Sequence, residues 1–255
     1  MTVVITEWYG RCGNNIIQII RATHYAYQYK HHSVILPKHP LFIKQIITLP
    51  HPKNNTIVHN IFFDIHKIPN YPYPLTLHTM KELFQTYCIS ILPTQLQHIK
   101  PDTSSTISIH IRSGDTFSSN PHPAYLPPPI SFYLKSIQSS QNKNIIIVYE
   151  DDRNPVVKKI QQLIPHAKFQ SSSLIDDIYT LAQSQHLAFG PGTFGLMIYF
   201  ISPHIKHLYT PDYNTYKHLL PFHKDTTLHI IPIHNYIKNG EWKNTPQQRL
   251  LITNR

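Results

Sequence analysis

The chain has 255 residues, of which 41% are hydrophobic, and this is enough apolar material for one large core or two smaller ones, so disorder throughout is excluded. Its 23 Lys and Arg against 13 Asp and Glu give a formal net charge of +10, which favours an anionic ligand or surface. Glycine is scarce, and six of its seven positions fall in three short clusters. We expect the backbone conformation at these positions to require glycine rather than a residue with a side chain.

Several classes of protein are excluded by the same counts. Two cysteines, Cys12 and Cys88, are too few for a disulfide framework or a thiolate zinc site, so a reducing compartment is the simpler interpretation. The histidines show no H-x3-H or H-E-x-x-H spacing, and we predict no metal site. No apolar run reaches 18 residues. We therefore expect a soluble, cytoplasmic protein with no integral membrane segment, from a bacterial or viral source rather than the Golgi.

Taken in chain order, the first half begins with a β-branched run, a glycine turn and a stretch with apolar residues at three- and four-residue spacing, which predicts strand, turn and helix. Much of the rest of this half is crowded with Pro, Asn and His. The predicted elements are a strand at 2–6, a turn at 9–13, a helix at 14–29, a strand at 34–36, loops with short strands at 37–75, a helix at 81–87 and a polar linker at 93–105.

The second half alternates strands with helices, which predicts an α/β fold with a mostly parallel sheet and ligands at the carboxyl ends of its strands. We expect a first domain at 1–104 and a second at 105–255, with a cleft between them. The predicted elements are strand 106–111, helix 129–139, strand 144–149, helix 154–164, helix 174–185, strand 186–189, a glycine turn at 190–195 running into a helix to about 201, and a possible strand at 228–233.

The first glycine cluster, G-R-C-G-N-N, lies between the first strand and helix. Its amides and the positive end of the helix can face an anion or a sugar hydroxyl, and Arg11 adds a fixed charge. Gly13 and Asn14 complete this candidate site. The alternative is an ordinary tight turn with Asn as a helix cap.

The second cluster, H-I-R-S-G-D, ends the strand that opens the second half. Strand alternation places His110 and Arg112 on one face, where a guanidinium can bind a diphosphate in a two-pronged geometry. The alternative is a structural ion pair between Arg112 and Asp115.

The third cluster, G-P-G-T-F-G, precedes the late helix and resembles a phosphate-cradling turn, although it lacks the G-K-S/T ending of a nucleotide triphosphatase loop. Gly192, Thr193 and Phe194 are its candidate binding residues. By itself this cluster is a weak signal.

Together the three clusters are more specific. G-R-x-G-N, H-x-R-x-G-D and G-x-x-T-F-G come in the same order as the motifs of inverting fucosyltransferases of the α1,2, α1,6 and protein O-linked groups, which the chain resembles over roughly residues 3–20 and 105–202. The segment I-V-Y-E-D-D-R-N-P at 147–155 resembles the strand-plus-Asp piece of those enzymes.

The resemblance implies a GT-B-like fold, in which two Rossmann-like domains face each other, and metal-independent transfer from a nucleotide sugar, GDP-fucose first, to a glycan or glycoprotein. By motif match, Arg112 holds the donor β-phosphate and His110 lies along the nucleotide. Asp151 or Asp152 contacts the base, Thr193 and Phe194 line the phosphate turn, and Asn14 reaches the sugar or acceptor. No cofactor is implied beyond the donor.

Three departures from the family pattern bear on the donor: Asn15 replaces Gln, Ser113 replaces a second Arg, and Gly195 replaces Ser. A general base for the acceptor hydroxyl would add about 10²–10⁴-fold in rate. Asp115 is the first candidate and His122 the second. The position of the base in the α1,6 enzymes is Asn120 here, which cannot abstract a proton, so another group serves or no base is needed.

Two alternatives remain at this point. The same fold could use another donor, such as UDP- or GDP-linked xylose or rhamnose. The chain could instead be a non-catalytic, basic carbohydrate- or nucleic-acid-binding protein. Nucleic acid is not expected as a partner, because the basic residues are dispersed and no aromatic-basic repeat occurs.

Overall fold

A computed structural model describes residues 2–52, 56–73, 75–213 and 224–254. Their contacts divide the chain into two compact units. Among the described residues, the first unit consists mainly of 2–99 and 196–203, and the second of 100–195, 204–213 and 225–254.

The first unit is built on a four-stranded mixed sheet. Strand β1 lies at its centre, parallel to β2 and β4, and β3 pairs antiparallel with β2 at the edge. Helix α1 packs on this sheet through a face of buried isoleucines and alanines. The elements are β1 Thr2–Ile5, α1 Cys12–Gln28, β2 Ser33–Ile35, β3 Ile46–Thr48, β4 Ile57–Asn60, a 3-10 turn Ile65–Lys67, α2 Leu77–Leu83, a π-helical turn Phe84–Cys88, a 3-10 turn Ile89–Ile91 and α3 Thr94–Gln97.

The second unit contains a six-stranded sheet in which every neighbouring pair is parallel, in the order β10-β9-β8-β5-β6-β7. Central strand β5 has an almost continuously buried run, as expected for a strand covered on both faces. The elements are β5 Thr106–Ile111, a 3-10 turn Gly114–Phe117, α4 Ile130–Ser140, β6 Asn144–Tyr149, α5 Pro155–Leu163, β7 Lys168–Gln170, α6 Leu174–Gln183, β8 His186–Phe189, β9 His207–Pro211, β10 Thr227–Ile231 and α8 Pro246–Thr253. Helix α7, Phe194–Ile201, follows β8 in the chain and belongs to the first unit from residue 196 onward.

Local sequence explains where the helices of this unit begin. Asn154 caps α5 through its side chain, and Pro155 takes the first helical position, where its missing N–H costs nothing. Ser173 caps α6, which carries two aspartates in its first turn. These start signals explain why both helices were predicted within a few residues.

The predicted α/β class and the parallel sheet are confirmed, and the strand order of the second unit is compatible with a Rossmann-like fold. The first unit carries fewer strands and an antiparallel edge strand. Strands β7 and β9 and helix α8 were not predicted, because β7 has only three residues and β9 and α8 lie in a segment rich in Pro, His and polar residues. Among the described residues, no helix is long and apolar enough to cross a membrane.

Three histidines on adjacent strands of the second sheet form a stacked cluster with Tyr209. The His186 and His207 rings lie 4.3 Å apart, and His207 Nδ1 lies 3.1 Å from His229 Nε2. Tyr209 stacks on His229, and its hydroxyl lies 3.0 Å from His186 Nδ1. Desolvation and then the neighbouring imidazoles lower the pKa of His186 from 6.5 to about 4. Desolvation also lowers the pKa of His207, helped by Lys206, and of His229.

This cluster predicts loss of stability in acid. Because the unfolded chain binds protons at these histidines more readily than the folded chain, the free energy of unfolding falls as pH drops from about 6.5 toward 4. We expect the melting temperature to fall through that window, and less steeply in His186→Gln. The exposed His166→Gln is the control, with a slope like that of the wild type. Equal slopes in all three proteins, measured by calorimetry, would contradict a role for the cluster.

Candidate functional site

The candidate site of the second unit lies where the strand order reverses. From β5 the chain builds the sheet outward through β6 and β7, then returns to the other side of β5 with β8. In open α/β sheets, ligands bind in the crevice beyond the carboxyl ends of the strands at such a switch point. The second and third glycine clusters follow β5 and β8 directly, so the topology brings them to the same crevice.

Arg112 is the charged centre of this crevice. Its Nη2 donates to both carboxylate oxygens of Asp115, at 3.1 and 3.0 Å, and its Cζ lies 4.1 Å from the ring centroid of Tyr125. Only 18% of the Arg112 side chain is exposed. Its Nε is buried, and among the described residues no group accepts a hydrogen bond from it. A buried guanidinium N–H without a partner points to an acceptor that a ligand would supply.

The turn between β8 and α7 closes on Arg112 from the other side. Gly192 has φ +108°, and a Cβ added there would lie 2.5 Å from Arg112 Nη1. Glycine is therefore needed both for the backbone conformation and for the approach of the turn to the guanidinium. Thr193 and Phe194 follow, both partly exposed, at the start of α7.

Gly195, in the first turn of α7, has a steric role. A Cβ there would lie 2.1 Å from the Phe189 ring at the end of β8. A larger residue, including the family's Ser, would clash with the Phe189 ring. This departure from the family pattern is therefore explained by packing.

His110 lies beside this turn. Its ring centroid is 4.4 Å from that of Phe194, with an angle of 32° between the planes. Desolvation of the ring, followed by the charge of Arg112, lowers the pKa of His110 to about 3. The imidazole is therefore neutral near pH 7 and can stack or hydrogen-bond, but it adds no charge.

Ser113, which replaces the family's second arginine, is a fully buried structural residue. Its Oγ donates to Asp151 Oδ1 and accepts from the Asn154 backbone N–H at 3.0 Å. Asn154 Nδ2 in turn donates to the Arg112 carbonyl at 2.9 Å. This network ties the residue that carries the guanidinium to the start of α5. An arginine at position 113 would not fit it.

The two aspartates predicted to contact a nucleotide base have different surroundings. Burial raises the pKa of the Asp151 carboxyl, but the hydrogen bonds that it accepts from Arg153, with Nη2 at 2.5 Å, and from Ser113 outweigh burial and lower the pKa below its usual value. Asp151 therefore stabilises the loop between β6 and α5. Asp152 is exposed. Its carboxylate is the one that remains at the surface.

Glu150 was not predicted as a site residue, although it directly follows the Ile-rich strand β6. Its Oε2 accepts from the Ser113 N–H at 3.3 Å. Gly114 has φ +52°, and a Cβ there would lie 2.4 Å from Glu150 Oε1. The Glu150 carboxylate thus occupies the space that a side chain at position 114 would need, which explains the glycine of the H-x-R-x-G-D motif. The position of Glu150 at the carboxyl end of a predicted strand is the sequence signal that could have identified it as a site residue.

The two candidate bases lie on the loop after β5. Asp115 has 46% of its side chain exposed and forms the ion pair with Arg112 that the structural alternative required. The exposed His122 stacks on Tyr125, with centroids 4.8 Å apart, and its Nδ1 accepts from the Ala124 N–H. Tyr125, which was not predicted as a site residue, contacts both His122 and the guanidinium, whereas Asp115 contacts the guanidinium directly.

The first glycine cluster forms the turn between β1 and α1 of the first unit. Gly10 has φ +71°, and a Cβ there would lie 2.3 Å from Asn14 Nδ2, so glycine leaves room for the Asn14 side chain. Arg11 is exposed at the N-cap, where its side chain makes no capping hydrogen bond, and Gly13 is buried.

Asn15, another departure from the family, belongs to a buried network behind this turn. Its Nδ2 donates to the Tyr9 carbonyl at 3.2 Å and to Gln18 Oε1. Gln18 Nε2 donates to the carbonyls of Glu7 and Ile61. Asn15 therefore stabilises the turn from its buried side and is not positioned to contact a ligand in solvent.

No group of three or more His, Cys, Asp or Glu in the described part of the chain is arranged to hold a metal ion. Comparison of the sequence with protein-family models and with curated proteins found no match. A functional conclusion therefore depends on the residues and geometry of the chain itself.

Proposed function

We propose that the crevice around Arg112 binds the diphosphate of a nucleotide sugar, and that the chain is an inverting, metal-independent glycosyltransferase of the GT-B type. Fucose from GDP-fucose is the first candidate donor, and a glycan hydroxyl is the acceptor. The observation that carries the proposal is a partly exposed guanidinium whose Nε is buried and has no partner among the described residues, at the switch point of a parallel sheet. The order of the three motifs in the sequence supports the same class.

The chemistry of Arg112 suits a diphosphate. Guanidinium N–H groups match pairs of phosphate oxygens, and such charge-assisted hydrogen bonds are about twice as strong as neutral ones. The guanidinium of Arg112 lies over the Tyr125 ring, and its Nη2 already donates to Asp115. The Nε edge is therefore the natural place for a phosphate oxygen. The turn around Gly192 supplies backbone at the start of α7, where the helix dipole favours an anion.

In the proposed reaction, the acceptor hydroxyl oxygen forms a bond to the anomeric carbon from the face opposite the leaving group. The bond from that carbon to the β-phosphate oxygen breaks, and the nucleoside diphosphate leaves with the electron pair. The hydroxyl proton passes to a base, with Asp115 and His122 as the candidates. Stabilisation of the charge on the departing oxygen by Arg112 is the main contribution of the protein.

The turn of the first unit has a separate role in this proposal. Arg11 is exposed beside the N-terminus of α1, and Asn14 lies one turn into the cluster with its amide over Gly10. An exposed cation and an amide can donate hydrogen bonds to sugar hydroxyls. We assign this turn to recognition of the sugar or the acceptor.

The proposal is tested by a thermal-shift panel of GDP, UDP, CDP and their sugars, each with and without a chelator. A ligand selective for the folded state raises the melting temperature, by an amount set by its concentration relative to Kd. We expect GDP and GDP-fucose to give the largest shifts, and fucosyl transfer to persist in chelator.

Other results of the thermal-shift and chelator experiments would change or contradict the proposal. A larger shift with UDP or its sugars would replace the donor and keep the fold class. No shift with any nucleotide would contradict the enzyme proposal. Activity restored only by added divalent metal would contradict the metal-independent mechanism. A protein that binds nucleic acid instead should lose that affinity by orders of magnitude between low and moderate salt.

A further inference from the structure

The loop between β5 and α4, residues 112–129, carries most of the candidate site but has little regular structure of its own. It contains the short turn Gly114–Phe117, in which the Thr116 N–H donates to the Ser113 carbonyl at 3.1 Å. Farther along, the Tyr125 N–H donates to the His122 carbonyl at 2.9 Å. A βα connection of this length is unusual and needs support from elsewhere in the fold.

That support comes from the C-terminal segment 241–249, which we call the strap. Trp242 is 1% exposed, and its Nε1 donates to the Thr116 carbonyl at 2.8 Å. Its ring packs edge-on against Phe117, with centroids 5.5 Å apart. Asn244 Nδ2 donates to the Ser118 carbonyl at 2.9 Å. The strap thus binds successive residues of the loop, immediately after the Arg112–Asp115 ion pair.

The far end of the loop is held by a tyrosine that precedes the strap. The Tyr236 hydroxyl donates to the Pro127 carbonyl at 2.7 Å. Burial raises the pKa of this hydroxyl well above its usual value, so it stays protonated and remains a donor. The part of the loop with His122 and Tyr125 therefore lies between two anchors, and Asp115 directly precedes the first of them.

The strap is held together by hydrogen bonds among its own residues. Gln248 accepts from the Lys243 N–H at 2.8 Å and donates to the Glu241 carbonyl at 2.8 Å. Thr245 and Gln248 form a reciprocal capping box at the start of α8, and Arg249 Nε donates to Asn244 Oδ1 at 2.7 Å. Ile252 of α8 is buried in the core of the same unit. The strap can therefore transmit a fixed position to the loop.

We propose that the strap positions Arg112 and Asp115 for the ligand, with Trp242 and Asn244 as positioning residues that act through the backbone of Thr116 and Ser118. This inference rests on the proposed function for the identity of the ligand. A misplacement of about 1 Å in a group that positions a substrate can cost about 10²-fold in rate. The same burial shows that Trp242 packs in the core and is not a platform for sugar stacking.

The test compares two matched substitutions at left-handed positions. Asn244→Gly, at φ +57°, keeps the backbone conformation and removes both the bond to Ser118 and the bond from Arg249 within the strap, and Asn244 lies outside the buried core. Gln141→Gly, at φ +55° after α4, makes the same change away from the loop. Amide hydrogen exchange of residues 114–127 is measured on the free proteins, and Kd for GDP by calorimetry.

We expect exchange in the loop to rise about three- to tenfold in Asn244→Gly and GDP binding to weaken by a similar factor, as for loss of the one hydrogen bond that joins Asn244 to the loop. Gln141→Gly should match the wild type in both. Trp242→Phe, which removes only the Nε1 donor and part of the ring, should act in the same direction.

Unchanged exchange in Asn244→Gly would overturn the proposal, because the strap would then not hold the loop. Faster exchange with unchanged affinity would also overturn it, since the loop position would not matter to the ligand. If the wild-type protein binds no nucleotide, the proposed function fails. The exchange comparison on the free proteins still decides whether the strap holds the loop.

Discussion

Arg112→Lys is expected to weaken binding of GDP by about 10–100-fold, which corresponds to about 1.5–3 kcal/mol for hydrogen bonds to a charged group. Lysine keeps the positive charge but loses the planar fork, the Nε donor and the flat face that lies over Tyr125. Arg112→Gln also loses the charge and should bind still more weakly. Calorimetric titration at fixed ionic strength measures both, because exposed charges are screened by salt.

Arg153→Gln is the matched control for this experiment. Arg153 is an exposed arginine of the same unit, and it pairs with Asp151 rather than facing the unpartnered Nε edge. If Arg153→Gln weakens GDP binding as much as Arg112→Gln does, the effect is one of net charge and Arg112 is not the diphosphate ligand. Asp115 is 46% exposed, so water can solvate its carboxylate when Arg112 is replaced, and we expect the variants to fold.

Gly192→Ala is expected to reduce both stability and GDP affinity. A residue with a Cβ at φ +108° is strained, which costs about 1–3 kcal/mol. Its methyl group would also lie 2.5 Å from Arg112 Nη1. Since Tyr125 and Asp115 hold the guanidinium, relief of this contact moves either Arg112 or the turn, and each movement disturbs the candidate site.

Two controls separate these effects. Gly240→Ala, at φ +92° with nothing within 4 Å of the added carbon, measures the cost of backbone strain in chemical denaturation without a contact. A double-mutant cycle with Arg112→Ala isolates the contact with the guanidinium. In the Arg112→Ala background we expect Gly192→Ala to cause little further loss of GDP affinity. Fully additive losses would show that Gly192 does not act through Arg112.

Much of the second unit could be predicted from the sequence because its signals are local. The buried run of β5, the alternation of strands with helices, and Asn154-Pro155 at the start of α5 each depend on neighbouring residues alone. The scarcity of glycine was informative for the same reason. Gly10, Gly114 and Gly192 all have positive φ, a backbone conformation that a side chain disfavours wherever it occurs.

The contacts that give those glycines their meaning could not be predicted, because their partners are distant in the chain. Gly192 meets Arg112, and Gly114 meets Glu150, only because β5 lies between β6 and β8 in the sheet. Ser113 was a departure from a motif until Asp151 and Asn154 closed its network. Hydrogen bonds of this kind have no periodicity that a sequence pattern can carry.

Trp242 shows most clearly the difference between what the residue type allows and what contacts between distant residues decide. A tryptophan ring is suited by its chemistry either to sugar stacking or to packing, since both use a large apolar surface with one polar atom. Folding brings it to Thr116, 126 positions away, where its ring is buried and its N–H satisfies a carbonyl of the candidate site. Residue type specified what Trp242 could do, and the pairing of distant segments selected one of those roles, because burial and hydrogen bonding depend on neighbours in space.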